Sequence, residues 1–203
     1  MAVDESLLRH VSGPILRIYG WKNPCVSIGY FQKASVVTRG ADFVRRYTGG
    51  GLVEHGKDLT YTLILPSEHP LTLAGTIPSY RSIHEAVADA LRAAGVECRL
   101  ATSQPKQDSP SCFLKPVPED VLDRRGNKLA GAAQRRTRQG CLHQGSILLP
   151  GTVPPALSGL LAKEFGRMLQ TDWNPGEKNA EEKDLAEKLL HDRYSTREWN
   201  FSR

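Results

Sequence analysis

The chain predicts an α+β fold, a mixed β-sheet packed with helices. Three features carry that reading. Short runs that alternate apolar and polar residues, or are apolar throughout, fill much of 15–66 and 128–149. Two stretches, 77–95 and 157–169, set apolar side chains three and four residues apart, as one buried helical face requires. Strands dominate, and helices are added among them rather than alternating one for one, which argues against a doubly wound parallel sheet.

Along the chain, Leu7 and Leu8 suggest a short helical turn, and Ile15 to Tyr19 alternates like a half-buried strand. Gly20 to Pro24 forms a turn, so Cys25 to Phe31, rich in β-branched and aromatic residues, is expected to return beside it as a hairpin. Residues 32–42 carry no clear pattern. Phe43 to Tyr47 reads as a strand running into Thr48 and three glycines, and Asp58 to Pro66 as a largely buried strand. In the helix from Ile77 to Gly95 the apolar stripe is Ile77, Tyr80, Ile83, Val87, Leu91 and Ala94, with Gly95 as the stop. Val96 to Ala101 is read as a returning strand. Pro105, Pro110, Pro116 and Pro118 then remove amide donors and set φ every few residues, so an irregular, accessible loop is expected around Cys112. Gly126-Asn127 opens a β-hairpin that closes near Leu149. Pro154 and Pro155 suit a helix start before the stripe Leu157, Leu160, Leu161, Phe165, Met168 and Leu169. A last helix, Ala180 to Tyr194, follows Asn174-Pro175-Gly176.

The length of 203 residues fits one domain, 1–203, with a proper core. No apolar run nears the roughly 20 residues of a membrane span, so no membrane partner is expected. The first residues lack a charged region followed by an apolar one, and a cytoplasmic location is expected. Four cysteines without short paired spacing do not make a zinc pattern, so no metal and free thiols are expected. A net charge of +5 points to an acidic partner. Arg124, Arg125, Lys128, Arg135, Arg136 and Arg138 cluster about the hairpin, as a solvated surface or a docking patch. No aromatic residues interleave with them, as single-stranded nucleic acid favours, and nucleic acid is not the expected partner.

Cys25, Cys98 and Cys141 sit in apolar stretches and read as small buried hydrophobes. Cys112 differs: it lies beside Ser111 in the proline-rich loop, and an ammonium brought near it would stabilise its thiolate. Alternation after Asn127 puts Lys128, Ala130, Ala132 and Gln134 on one face, a narrow slot with a lysine at its mouth. Gly131 within it would weaken a strand kept only for packing. Gly49, Gly50 and Gly51 permit positive φ and can offer amides to a bound carbonyl or phosphate, or form a plain turn. Arg45 and Arg46 precede them, and His55 follows, as a site residue or as a hydrogen-bonded histidine at a strand edge.

Together these motifs resemble the biotin/lipoate protein ligase family. Arg45-Arg46-Tyr47-Thr48-Gly49-Gly50-Gly51-Leu-Val-Glu-His55 looks like its acyl-binding signature. Gly126-Asn-Lys128-Leu-Ala-Gly131-Ala-Ala-Gln134 looks like its lysine signature, and Gln144-Gly145-Ser146-Ile-Leu-Leu149 like the strand behind them. The likeness runs nearly end to end and implies the mixed sheet with helices of the biotin and class II synthetase group. Ser111-Cys112-Phe113 is similar to the octanoyltransferase branch, which carries its cysteine in this loop. Within it, the resemblance implies catalytic roles for Cys112 and Lys128, and substrate binding by Arg45, Arg46, Thr48, Gly49, Gly50, Gly51, His55, Gly131, Gly145 and Ser146. The triple glycine, the order His143-Gln144 and a shortened 32–42 segment depart from the branch pattern.

The implied activity is an acyltransferase without metal or cofactor. Octanoyl passes from acyl carrier protein to Cys112, then to a lysine of a lipoyl-domain protein such as glycine cleavage H protein or a 2-oxoacid dehydrogenase subunit. The alternatives are an ATP-dependent lipoate or octanoate ligase, an amidotransferase between lipoyl domains, and a non-catalytic module binding an acidic protein or nucleic acid.

Overall fold

The computed structural model describes residues 1–102 and 116–203, so Cys112 lies outside the described residues. The strands in chain order are β1 (Ile15–Tyr19), β2 (Cys25–Ile28), β3 (Phe43–Arg45), β4 (Val53–His55), β5 (Leu59–Pro66), β6 (Arg99–Leu100), β7 (Val121–Leu122), β8 (Lys128–Arg136) and β9 (Gly140–Ile147). The helices are α1 (Ala2–Arg9), α2 (Pro70–Leu73), α3 (Thr76–Ala93), α4 (Leu157–Leu169), α5 (Ala180–Leu189) and α6 (Arg197–Asn200). The larger sheet runs β1-β5-β9-β8-β7-β6 with antiparallel neighbours. The smaller runs β3-β2-β4, with β2 parallel to β3 and antiparallel to β4.

Alternation along β5 divides the large sheet into two buried faces. Tyr61, Leu63 and Leu65 pack with Ile83, Val87 and Leu91 of α3 and with Leu157, Leu161 and Phe165 of α4. Thr62 and Ile64 point the other way, where Ile64 and Leu142 meet Leu7 and Leu8 of α1. The stripe expected on the 157–169 helix all joins the first core. That on α3 holds except at Ile77, which is 73% exposed in the first turn. Ser79 takes the inward place there, and its hydroxyl satisfies the Gly75 carbonyl at 2.6 Å.

The structure corrects two expectations. β1 does not form a hairpin with β2; it pairs with β5, Arg17 opposite Thr62, while β2 enters the smaller sheet. Residues 20–24 are thus a crossing between sheets, and Trp21 within it donates to Thr60 Oγ1 of β5 at 2.8 Å. The second concerns the lysine face. Val121 pairs with Ala130 but Leu122 with Lys128, so one extra residue, Leu129, is inserted into β8 as a bulge. The bulge inverts the alternation: Ala130 enters the helix-side core, and Lys128 shares a side with Gly131.

Two polar anchors tie the C-terminal helices to this frame. Asn179 and Glu182 form a capping box that starts α5, which continues into a wider turn over Leu190–Tyr194. Glu5 of α1, fully buried, accepts from Arg193 through both oxygens at 2.7 Å and from the Tyr194 hydroxyl at 2.8 Å. Arg45, also fully enclosed, donates to the carbonyls of Gly29, Tyr30, Gln32, Trp199 and Asn200.

Phe165 is fully buried between α3 and the sheet, its ring 5.4 Å from that of Tyr61. Phe165→Ala is expected to cost about 3–5 kcal/mol, read as a lower midpoint in urea unfolding with an unchanged slope.

Candidate active-site cleft

A narrow cleft opens between the two sheets, on the face away from α3 and α4. Its walls include Arg46 of the β3–β4 connection, Ser27 of β2 and His55 of β4, facing Lys128, Gly131 and Ser146 of β8 and β9. Gly131 leaves the lysine its place, because a Cβ there would overlap Lys128 Cε and Nζ. The lysine side chain is 3% exposed, and its ammonium pairs with Asp120 Oδ2 at 2.7 Å. Asp120 is itself fully buried and also accepts from the Tyr80 hydroxyl at 2.6 Å and the Val117 amide at 2.7 Å. Burial, with the Asp120 charge adding to it, pushes Tyr80 well above the ordinary tyrosine range, so its hydroxyl stays protonated and donates.

The opposite wall is a chain of hydrogen bonds. Arginine can only donate, so Ser27 Oγ accepts from Arg46 Nη1 at 2.7 Å, and it also meets His55 Nε2 at 2.6 Å. His55 Nδ1 meets Asp58 Oδ2 at 2.8 Å. Burial alone would raise Asp58, but hydrogen bonds from His55, Ser146 and the Gly56 amide hold it below the usual carboxylate range. The imidazole is stacked on Trp21, ring centroids 4.1 Å apart. Ser27, His55 and Asp58 are all buried.

The remaining residues named from the sequence fall into three groups. Arg46, His55, Gly131, Gly145 and Ser146 line the cleft together with Lys128. Thr48 lies beneath it, its hydroxyl donating to Gln144 Oε1 at 2.9 Å, and Gln144 in turn donates to Asp4 at 2.7 Å. Arg45 does not line the cleft: its guanidinium is spent on main-chain carbonyls. Gly49, Gly50 and Gly51 also stand outside the lining; Gly49 and Gly51 turn their carbonyls to Arg46 Nη2. Gly50 has φ +83°, a left-handed conformation that favours glycine, and its carbonyl packs so close to Gly29 that a Cβ there would overlap it.

His143 is buried on the helix side of β9, away from the cleft. Gln134 donates to its Nδ1 at 3.1 Å, so Nε2 carries the proton toward the Tyr61 hydroxyl at 3.2 Å. Burial holds it well below the usual histidine range, and it stays neutral. Among the three described cysteines, Cys141 is buried as expected, whereas Cys25 and Cys98 are half-buried. Burial pushes all three thiols up, which disfavours the thiolate.

Sequence reasoning missed Ser27, Asp58, Tyr80, Asp120 and Gln144. A signal existed for Asp58, three residues after His55. None existed for Asp120, whose partners come from three separate segments.

Among described residues, no helix is long and apolar enough to cross a membrane. The family described as lipoyl protein ligase A/B catalytic domain matches residues 1–181. The chain is 32% identical to octanoyltransferase LipM of Kyrpidia tusciae, covering 99% of this chain and 93% of that protein. It is 31% identical to octanoyltransferase LipM of Brevibacillus brevis, covering 100% and 94%. The fold resembles a crystal structure of lipoate-protein ligase A bound with ATP, with a TM-score of 0.81, 27% identity and coverage of 98% of this chain and 92% of that one. It also resembles a bi-partite lipoate protein ligase from Thermoplasma acidophilum studied with its E2 lipoyl domain, with a TM-score of 0.75, 25% identity and coverage of 98% and 89%.

Asp58→Asn is expected to lower stability at pH 7 by about 1–3 kcal/mol, since donors aimed at a carboxylate lose part of their acceptor. The depressed Asp58 value stabilises the fold above the unfolded carboxylate value, and that stabilisation is lost as pH falls through the folded one. The gap between wild type and variant should therefore narrow below about pH 4 in chemical denaturation series.

Proposed function

The chain belongs to the lipoyl protein ligase A/B catalytic-domain family, and we propose that it moves octanoyl from acyl carrier protein, through a thioester on Cys112, to the ε-amine of a lysine on a lipoyl-domain protein. The Cys112 thiolate attacks the carbonyl carbon of the donor thioester. A carbon–sulfur bond forms to Cys112 as that to the carrier breaks, and the carrier thiolate takes up a proton from solvent. In the second half the neutral acceptor amine attacks the same carbon. The amide bond forms, the bond to Cys112 breaks, and the proton lost by the amine restores the charge balance with the released thiolate. Thioester and acyl-enzyme are close in energy, so neither step calls for ATP.

The observation that carries this reading is the seat of Lys128. An ammonium held in a cleft walled by Gly131, Ala132 and Ala133 puts positive charge beside a run of small residues. A thiol is ordinarily ionised by only a few per cent at neutral pH, and an ammonium within about 4–6 Å shifts that balance by a unit or more. The three described cysteines, pushed the other way by burial, are poor alternatives. Arg46 adds positive potential to the same cleft, where negative charge gathers on the carbonyl oxygen during attack. The octanoyltransferase relatives support the octanoyl group, and the ligase studied with a lipoyl domain supports the acceptor.

The ligase structure with bound ATP favours a second reading, an ATP-dependent ligase acting on the free acid. Intact mass separates the two. On mixing with octanoyl carrier protein and no ATP, one hydroxylamine-labile octanoyl adduct should map to Cys112, vanish in Cys112→Ala and form much more slowly in Lys128→Ala. Activity from octanoate only with ATP, and none from the carrier, would establish the ligase instead.

Gly131→Ala supplies a graded test. Its Cβ takes the space of the end of Lys128, a flexible group that can move aside. Moving the ammonium off the buried Asp120 should lower the melting temperature, while adduct formation per folded molecule slows by about tenfold or more.

A further inference from the structure

We infer that Asp120 is a positioning residue for the acyl transfer, acting through Lys128. The inference rests on the transferase reading above and adds a residue that no sequence motif singled out. Among the described residues every polar partner of the carboxylate is a donor: Lys128 Nζ and the Val117 amide on Oδ2, and the Tyr80 hydroxyl on Oδ1. These donors come from β8, from the turn before β7 and from α3, so one buried side chain fixes the lysine against two other elements. Tyr80 is held in turn, because its oxygen accepts from the Ala132 amide at 3.0 Å. A long lysine side chain would otherwise sample many rotamers, and a buried cation needs a counter-charge to remain there.

The turn that carries Asp120 is built for this placement. The Asp120 amide closes on the Val117 carbonyl at 3.1 Å, and its carbonyl receives the Ala101 amide at 2.8 Å. Glu119 between them has φ +71°, unusual for a residue with a side chain. Its carbonyl accepts from His84 Nδ1 at 2.6 Å, and its amide donates to the Ala101 carbonyl at 2.9 Å. Burial holds His84 down to about 4, so at neutral pH the ring is uncharged and Nδ1 carries its proton toward that carbonyl. A strained backbone held from both sides is a costly way to make a turn and a fitting way to aim one carboxylate. In the sequence Asp120 lies between Cys112 and Lys128.

Asp120→Asn keeps the shape and removes the charge. Since all three partners donate, the amide nitrogen must face one of them in either orientation. Tyr80→Phe keeps the volume and removes only the hydroxyl that braces the carboxylate. Both variants are compared with wild type by circular dichroism, melting temperature and the rate of Cys112 octanoylation by octanoyl carrier protein, followed by intact mass across donor concentrations. The expected result for Asp120→Asn is a rate constant at saturating donor lower by about ten- to a hundredfold, with the half-saturating donor concentration unchanged. Tyr80→Phe should lose less in the same parameter. A purely structural role would lower the fraction of protein that reacts and leave the rate constant of the folded fraction alone. Either folded variant reacting with the wild-type rate constant overturns the inference while leaving the transferase reading in place. If Asp120→Asn does not fold, Tyr80→Phe decides the matter by the same criterion. A wild-type protein that forms no adduct at Cys112 overturns the reading, and the inference with it.

Discussion

A fully enclosed arginine holds the small sheet to the rest of the molecule. The Arg45 guanidinium donates to main-chain carbonyls drawn from 29–32 and from Trp199 and Asn200. Burial and the nearby Arg203 charge lower its value, but a guanidinium starts so high that it remains charged. A buried cation solvated by carbonyl dipoles keeps its charge without a neighbouring acid, at the cost of demanding that five oxygens stay in place. The arrangement fixes the turn after β2 to the C-terminal helix, with Trp199 Nε1 returning a bond to the Arg45 carbonyl at 2.9 Å. Arg46, the next residue, points the opposite way into the cleft. One arginine bound to main-chain carbonyls thereby orients the arginine that lines the cleft.

β9 does a similar double duty for the large sheet. His143 and Gly145 face the helices, while Gln144 and Ser146 face the cleft. Gly145 leaves room for the Tyr61 ring, which a Cβ would overlap, and Ser146 delivers its hydroxyl to Asp58 at 2.6 Å. Small residues thus serve two ends here: at 145 they admit a core aromatic, and at 131 they admit a buried lysine. Composition alone does not distinguish these uses, since the same glycine reads as a close approach in both.

The long helices were legible because their apolar spacing runs over several turns, and every residue of the expected stripe on α4 packs on the core. β5 and β9 were legible as unbroken apolar or alternating runs. The pairing of β1 was not, because a turn between two strands suggests a hairpin and nothing local shows that Trp21 crosses to another sheet. The face of Lys128 was misread for a related reason. Alternation holds only while each residue has one partner, and the Leu129 bulge arises from pairing with β7, a two-residue strand too short to announce itself. The cleft residues of the glycine motif were partly legible, since Arg46 and His55 belong to a dense polar run. Asp120 was not, because a single aspartate after Pro118-Glu119 reads as a surface turn until the fold brings a lysine to it.

Trp21 gives the cleft an optical handle. Its indole lies against His55, and its N–H reaches Thr60, whose hydroxyl donates to Asp58 at 3.0 Å. The other two tryptophans sit elsewhere, Trp173 on the Ala162 carbonyl and Trp199 beside Arg45. The emission of this one fluorophore should therefore respond to changes in the packing and hydrogen bonding beside the cleft. A chain with the other two indoles replaced would carry a reporter of site occupancy without any added label.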